Sequence, residues 1–141
     1  MADDLPGLAH FRRKSTIPLG TGEHEHTKWG LRDLLQAEAV DFVQLDIARA
    51  GGFTEMLKVA ALAEAWNKPL APHGMEHMHA PLVAAVPNGY ILERLFTFSG
   101  AADGLFGPSS RPVDGYLTIS EAPGLGLTID EDFLAEYSED K

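Results

Sequence analysis

Four short apolar runs in this chain each end in an ionisable residue. They are Ile17-Pro18-Leu19-Gly20-Thr21-Gly22-Glu23, Phe42-Val43-Gln44-Leu45-Asp46, Pro69-Leu70-Ala71-Pro72-His73 and Tyr90-Ile91-Leu92-Glu93. Runs of this length, bounded by turn residues, predict strands, with the second ending near Ala48. Longer segments of helical periodicity lie between them. Thr27 is the expected N-cap of a helix through Ala37, with Trp29, Leu31, Leu34 and Leu35 as its apolar positions. Gly51-Gly52 marks a turn, and Thr54 is read as the cap of a helix to about Trp66, with Met56, Val59, Ala60 and Ala63 on one buried stripe. Asn67-Lys68-Pro69 ends it, because proline disfavours helical geometry in the residue before it. A helix from about His79 to Val86 and a Pro87-Asn88-Gly89 turn lead to the fourth run. Ahead of the first run, Leu5-Pro6-Gly7-Leu8 leads into a helical remnant at His10–Lys14.

The strand tips recur at regular distances, 23 residues from Glu23 to Asp46, 27 to His73 and 20 to Glu93. These are lengths of repeated strand–helix units, and right-handed crossovers then make all four strands parallel. Parallel strands bring their C-terminal ends to one side, where α/β folds bind ligands, so Glu23, Asp46, His73 and Glu93 are expected to converge on one pocket. From Phe98 onward the pattern changes. Glycine and proline are dense from Gly100 to Gly126, which predicts an irregular extension with short strands around Leu117 and Leu127, and no long helix before Asp130–Tyr137. The fold class expected is therefore α/β, a partial TIM-type (β/α) barrel of about four parallel strands plus an irregular C-terminal extension. Residues 1–99 form the half barrel and residues 100–141 the extension of the same domain. A complete eight-stranded barrel needs about 250 residues. Four strands leave open edges that invite pairing with another chain, and a homo-oligomer is expected.

Composition narrows the function. The chain has 141 residues, 45% hydrophobic and 23% charged, enough apolar content for one globular core. Its 21 acids against 11 bases give a formal charge of −10, which argues against nucleic-acid and anionic-membrane partners. Cysteine is absent, removing disulfides and thiolate metal sites. No apolar stretch approaches the roughly 20 residues of a membrane span, and a soluble cytoplasmic protein is the expectation.

Several pieces together carry a family resemblance: Gly22-Glu23 after a proline-led strand, Gln44-Leu45-Asp46 followed by Gly51-Gly52-Phe53-Thr54, Ala71-Pro72-His73-Gly74, Pro87-Asn88-Gly89 and Leu92-Glu93. Pro123-Gly124-Leu125-Gly126 with Asp130-Glu131-Asp132 closes the series. In this order and spacing the chain resembles the C-terminal half of the barrel domain of the enolase superfamily, in the mandelate racemase/muconate lactonizing enzyme-like subgroup that includes acid-sugar dehydratases. The resemblance implies removal of a proton α to the carboxylate of a small hydroxy-carboxylate substrate, with Mg2+ stabilising the enediolate. It implies that Glu23 is a ligand of that ion, that His73 is the general base or acid, that Asp46 holds its imidazole, and that Glu93 hydrogen-bonds the substrate carboxylate. A hard cation suits an oxygen donor such as Glu23, and an aspartate behind a histidine fixes its tautomer. An acid-sugar (aldonate) dehydratase is the activity implied, because His73 can act as base at Cα and as acid for the departing hydroxyl. A racemase or epimerase of a 2-hydroxy acid is the alternative, and a catalytically inactive half barrel that self-associates is the alternative from another class.

Each residue also has an ordinary reading. Glu23 alone reads as a solvated loop residue, Asp46 before Gly51-Gly52 as turn chemistry, His73 as a structural histidine, and Glu93 beside Arg94 as half of a surface ion pair. The family's lysine base and two further carboxylate ligands lie on strands before the Glu23 position, and residues 1–16 supply none of them. The chain is therefore expected to be a fragment, or the product of a gene start placed too late, and inactive alone. His73-Gly74-Met75-Glu76-His77 also fits the H-x-x-E-H pattern of zinc peptidases. That chemistry needs both histidines on one helical face, and Pro72 and Gly74 oppose a helix through His73. His24 with His26, and His77 with His79, are expected to line or border the pocket.

Overall fold

The computed structural model describes residues 3–107 and 111–138, which divide into two compact units, Met1–Glu93 and Arg94–Lys141. The fold is α/β, mostly helical around a small parallel sheet. In the first unit the order is α1 (Leu5–Lys14), β1 (Gly20–Thr21), α2 (Thr27–Gln36), β2 (Phe42–Val43), α3 (Ile47–Ala50), α4 (Phe53–Ala65) and α5 (Glu76–Ala85).

Regular strand is shorter than the apolar runs suggest, but its direction is unambiguous. β1 pairs with β2 in parallel, Gly20 opposite Phe42 and Thr21 opposite Val43. Parallel bridges then join Val43 to Leu70 and Leu70 to Gly89. Four segments thus lie side by side in chain order and point the same way. The ladder continues in Gln44 N–H donating to Thr21 C=O at 3.0 Å, Ala71 N–H to Val43 C=O at 2.9 Å and Tyr90 N–H to Leu70 C=O at 2.9 Å.

The helices cover the sheet because their apolar stripes match its pleat. Leu31, Leu34 and Leu35 of α2 and Met56, Val59, Ala60 and Ala63 of α4 are buried with Val43, Leu45 and Leu70 in one core. The alanines of α4 are short enough to let its backbone approach the sheet closely. Trp29, expected among the apolar positions of this helix, is 55% exposed and lies beneath the Lys28 ammonium and the Arg32 guanidinium.

Local departures from the sequence reading have identifiable causes. The Phe42 run does not reach Ala48 as strand, because the Asp46 carboxylate caps a one-turn helix, α3, that Gly51 closes at φ 111°. The cap residue of α4 is Gly52 at φ 84°, not Thr54, and the chain turns directly from one glycine into the helix. α5 starts three residues before His79, launched by Met75 at φ 41°. α1 starts at Leu5 rather than near His10, because the Gly7 N–H donates to the Asp4 cap and Pro6 sits in the first turn, where no N–H is missed.

The second unit holds α6 (Phe96–Phe106) and α7 (Glu131–Tyr137). α7 matches the expected Asp130–Tyr137 segment, with Asp130 as its cap. α6 overturns the expectation of no long helix before residue 130. A Cβ built at Gly104 would lie 2.2 Å from Phe133 Cε2, so this glycine is where the α7 ring presses on α6, not a helix breaker. The strands expected around Leu117 and Leu127 are not formed. Asp114 and Gly115, both at positive φ, close a two-residue turn joined only by the Val113–Tyr116 antiparallel bridge.

Candidate active site

Three of the four tip residues are delivered by turns that begin where the ladder ends. After β1, Gly22 adopts φ 121°, and a Cβ there would stand 2.7 Å from Leu45 Cδ1. Only glycine passes that close to the buried leucine, and Glu23 follows at once. Asp46 is 6% exposed and divides its two oxygens. Oδ1 accepts the Ala48 N–H at 2.7 Å, capping α3, while Oδ2 faces His73 Nδ1 at 3.1 Å. His73 leaves the Leu70 segment on the far side of Pro72. Glu93 ends the fourth segment, its Oε1 accepting from Gln44 Nε2 at 3.2 Å and its Oε2 from Gly74 N–H at 3.0 Å.

These placements bring all four predicted residues to one point at the C-terminal ends of the segments. The His73 ring is the centre: Nδ1 meets Asp46, Nε2 lies 2.7 Å from Glu23 Oε2 and 3.9 Å from Glu93 Oε2. A neutral imidazole donates through one nitrogen only, so both close carboxylate contacts are hydrogen bonds only when the ring carries two protons. A ring with one proton can satisfy only one of the two contacts, Asp46 through Nδ1 or Glu23 through Nε2. A cavity of about 260 Å³ opens beside it, lined by Thr21, Glu23, His24, Glu25 and Gln44. A wider cleft of about 580 Å³ lies at the opposite, N-terminal ends of the segments, where Asp41 holds Arg12 at 2.6 Å and Lys68 at 3.8 Å. Burial opposes ionisation of Asp41, yet the Leu19 N–H and the Arg12 guanidinium outweigh it and hold the carboxyl below its usual range.

The structure adds residues to which the sequence reading gave no role. Gln44 lies two positions before Asp46, and the alternation of a strand puts both on one face, a signal that was available. His24 borders the site as expected, with Nε2 at 2.9 Å from Glu23 Oε1. Its Nδ1 meets Arg49 Nη1, and because a guanidinium only donates, Nδ1 is the acceptor and Nε2 carries the proton toward Glu23. His26 turns away to the Arg49 carbonyl. His77 and His79 are both buried in α5 and do not line this cavity. His79 is held low in pKa by burial, which favours its neutral form, against the opposing pull of its bond to Gly74 and of the nearby Asp46 charge. The zinc-peptidase pattern lacks its helix, since α5 begins at Glu76 and His73 lies outside it.

Among the described residues, no group of three or more histidine, aspartate or glutamate side chains is placed to hold a metal ion. Glu23 offers one carboxylate of the right chemistry for a hard cation, and one carboxylate does not make a cage. Nor is any helix among the described residues long and apolar enough to cross a membrane.

A parallel α/β sheet with a histidine ringed by carboxylates at its C-terminal edge defines a class of acid–base site, and comparison with known proteins identifies the family. Residues 1–133 match the family described as Enolase C-terminal domain-like, and the chain belongs to it. It is 36% identical over 135 residues to an L-rhamnonate dehydratase of Saccharopolyspora erythraea, covering 90% of this chain and 35% of that protein. Among solved structures it superposes on an L-talarate dehydratase from Polaromonas sp. JS666 complexed with Mg and L-glucarate (TM-score 0.81, 32% identity, 96% of this chain and 37% of that one). It likewise superposes on an enolase from Bradyrhizobium complexed with magnesium and mandelic acid (TM-score 0.85, 33% identity, 97% and 37%). The chain thus spans about a third of the length of the relatives it matches.

Proposed function

We propose that this chain is the C-terminal part of the barrel of a magnesium-dependent acid-sugar dehydratase, with residues 1–99 as half of the barrel and 100–141 as its extension. The observation that carries the reading is the His73 ring held between Asp46 and Glu23, with Glu93 beside it, at the ends of parallel segments. In this reading His73 takes the proton from the carbon α to the substrate carboxylate. Asp46 would keep Nδ1 as the donor side of the neutral ring, and with Glu23 drawn onto the metal ion, Nε2, which otherwise faces Glu23 at 2.7 Å, would present its lone pair to the substrate. The same Nε2, once protonated, delivers its proton to the departing hydroxyl at the neighbouring carbon. Glu93, steadied by Gln44 and Gly74, faces the substrate carboxylate. Glu23 is the ligand this chain contributes to Mg2+, which when bound offsets negative charge developing on that carboxylate. The remaining ligands belong to segments that the relatives have and this chain does not span.

The test is a chimera in which this chain replaces the corresponding third of the S. erythraea L-rhamnonate dehydratase. The expected product is a 2-keto-3-deoxy acid, formed only with Mg2+. His73→Asn is expected to lower its formation by about two to four orders of magnitude, the usual weight of a positioned acid–base group. A folded chimera that turns over no sugar acid, or whose rate ignores the His73 substitution, refutes the reading. Inversion at Cα without loss of water would assign the racemase chemistry instead. A second reading concerns assembly. Ile17 and Tyr90 flank the two outermost segments and are 76% and 64% exposed. Unpaired edges with apolar flanks favour self-association of the chain on its own, which sedimentation would register as a dimer or larger species.

A further inference from the structure

We infer that His79 is a positioning residue, a rigid strut that sets the spacing of Asp46 and His73 by clamping the backbone immediately after each. The inference rests on reading those two residues as the working acid–base pair, but its geometry stands by itself. The ladder between their segments ends with a 3.3 Å bond from His73 N–H to Leu45 C=O. Past that point one chain turns into α3 and the other into the left-handed turn at Gly74 and Met75, so the two tips diverge. His79 bridges the gap. The Ile47 N–H donates to its Nε2 at 3.0 Å, and its Nδ1 lies 2.7 Å from the Gly74 carbonyl oxygen. Because Nε2 accepts, Nδ1 must be the nitrogen that carries the proton and donates. One tautomer therefore satisfies both ends, and the ring is 0% exposed, so water does not compete for either bond.

Ile47 directly follows Asp46, and Gly74 directly follows His73. Gly74 also donates its own N–H to Glu93. A ring fixed at both nitrogens thus holds two tips at a set separation and, through Gly74, aligns the third. An aliphatic side chain of similar bulk would fill the space and leave the Ile47 N–H and Gly74 carbonyl without partners. The tips would then shift to recover hydrogen bonds, and the 3.1 Å contact between His73 Nδ1 and Asp46 Oδ2 would be the first to loosen.

The test reads ring tautomers, by long-range proton–nitrogen NMR, and amide exchange in the intact 141-residue chain at pH 7, with no substrate or metal. In the parent, His79 is expected as the neutral Nδ1–H tautomer; finding Nε2–H overturns the inference. In His79→Leu, the amide protons of Ile47 and of Gly74, which donates to Glu93, are expected to exchange with solvent about fivefold faster than in the parent, the weight of one ordinary hydrogen bond. His79→Gln, which keeps one donor and one acceptor, should undo part of that acceleration. A leucine variant that folds and leaves the exchange of the Ile47 and Gly74 amides at the parent rates shows that the ring only fills space, and sinks the idea. Should the leucine variant fail to fold, the parent tautomer still decides. Turnover plays no part in these readings, so a failed dehydratase assay and a failed strut are separate outcomes.

Discussion

Replacing Gly22 with alanine is expected to weaken the first unit sharply, and the structure sets the size of the effect. The backbone at φ 121° lies where side-chain-bearing residues are strained, a cost of roughly 1–2 kcal/mol. The new methyl would also stand 2.7 Å from Leu45 Cδ1 and 3.4 Å from Leu34 Cδ1. Both leucines are fully buried and cannot swing into solvent, so overpacking adds about 1–3 kcal/mol. The total, about 2–5 kcal/mol, is a large share of the 5–15 kcal/mol that holds an ordinary domain together. Urea unfolding followed by tryptophan fluorescence isolates this unit, because both tryptophans, Trp29 and Trp66, lie within it. With a slope of about 1–3 kcal/mol per molar urea, the midpoint should fall by at least about 0.7 M. Adding Leu45→Ala removes the clashing methyl, so the double variant should lose less than the two singles combined, by about 1–3 kcal/mol. A Gly22→Ala protein with the parent's midpoint would refute the reasoning. A strictly additive cycle would show that the Leu45 contact carries none of the cost.

Gly104→Ala should destabilise the second unit although alanine is the better helix former by about 1 kcal/mol, because the methyl meets Phe133 first. Combined with Phe133→Ala the same change should turn neutral or favourable, and faster proteolytic cutting within residues 94–141 of the single variant is the readout. Glu55 is held down to about 2 by the Lys28 N–H first, then by the Lys58 and Lys28 ammonium groups. Its folded value lies below the ordinary 4.5, so the stabilisation is fully present above pH 4.5 and lost as pH falls toward 2. Glu55→Gln should therefore flatten the acid limb of the stability profile in that window, and an unchanged limb would contradict the assignment.

The parts of this fold legible in the sequence are those governed by periodicity. The α4 stripe of Met56, Val59, Ala60 and Ala63 is buried as the 3.6-residue repeat requires. The four runs lie parallel because each pair of neighbours is separated by a segment long enough for a crossover. Convergence of Glu23, Asp46, His73 and Glu93 followed from that direction alone. What stayed hidden depends on contacts between distant residues. Gly104 looks like a helix breaker until Phe133 is placed against it. Asp46 reads as a strand end or as turn chemistry, yet its two oxygens cap α3 and face His73 at once. His79 looks like an ordinary helical residue in an apolar stretch, because both of its partners are backbone groups and backbone groups leave no mark in a sequence.

Pairing in chain order also bears on how the first unit assembles. The partners Gly20 and Phe42, Val43 and Leu70, and Leu70 and Gly89 lie 22, 27 and 19 residues apart, so their closure entropies differ by only about 0.3 kcal/mol. Loop length therefore ranks no pairing ahead of another. The choice of which pair forms first falls to the apolar area that each closure hides, and Leu31 and Leu34 of α2 and Met56 and Val59 of α4, buried in one core, supply that area alongside strands of only two residues.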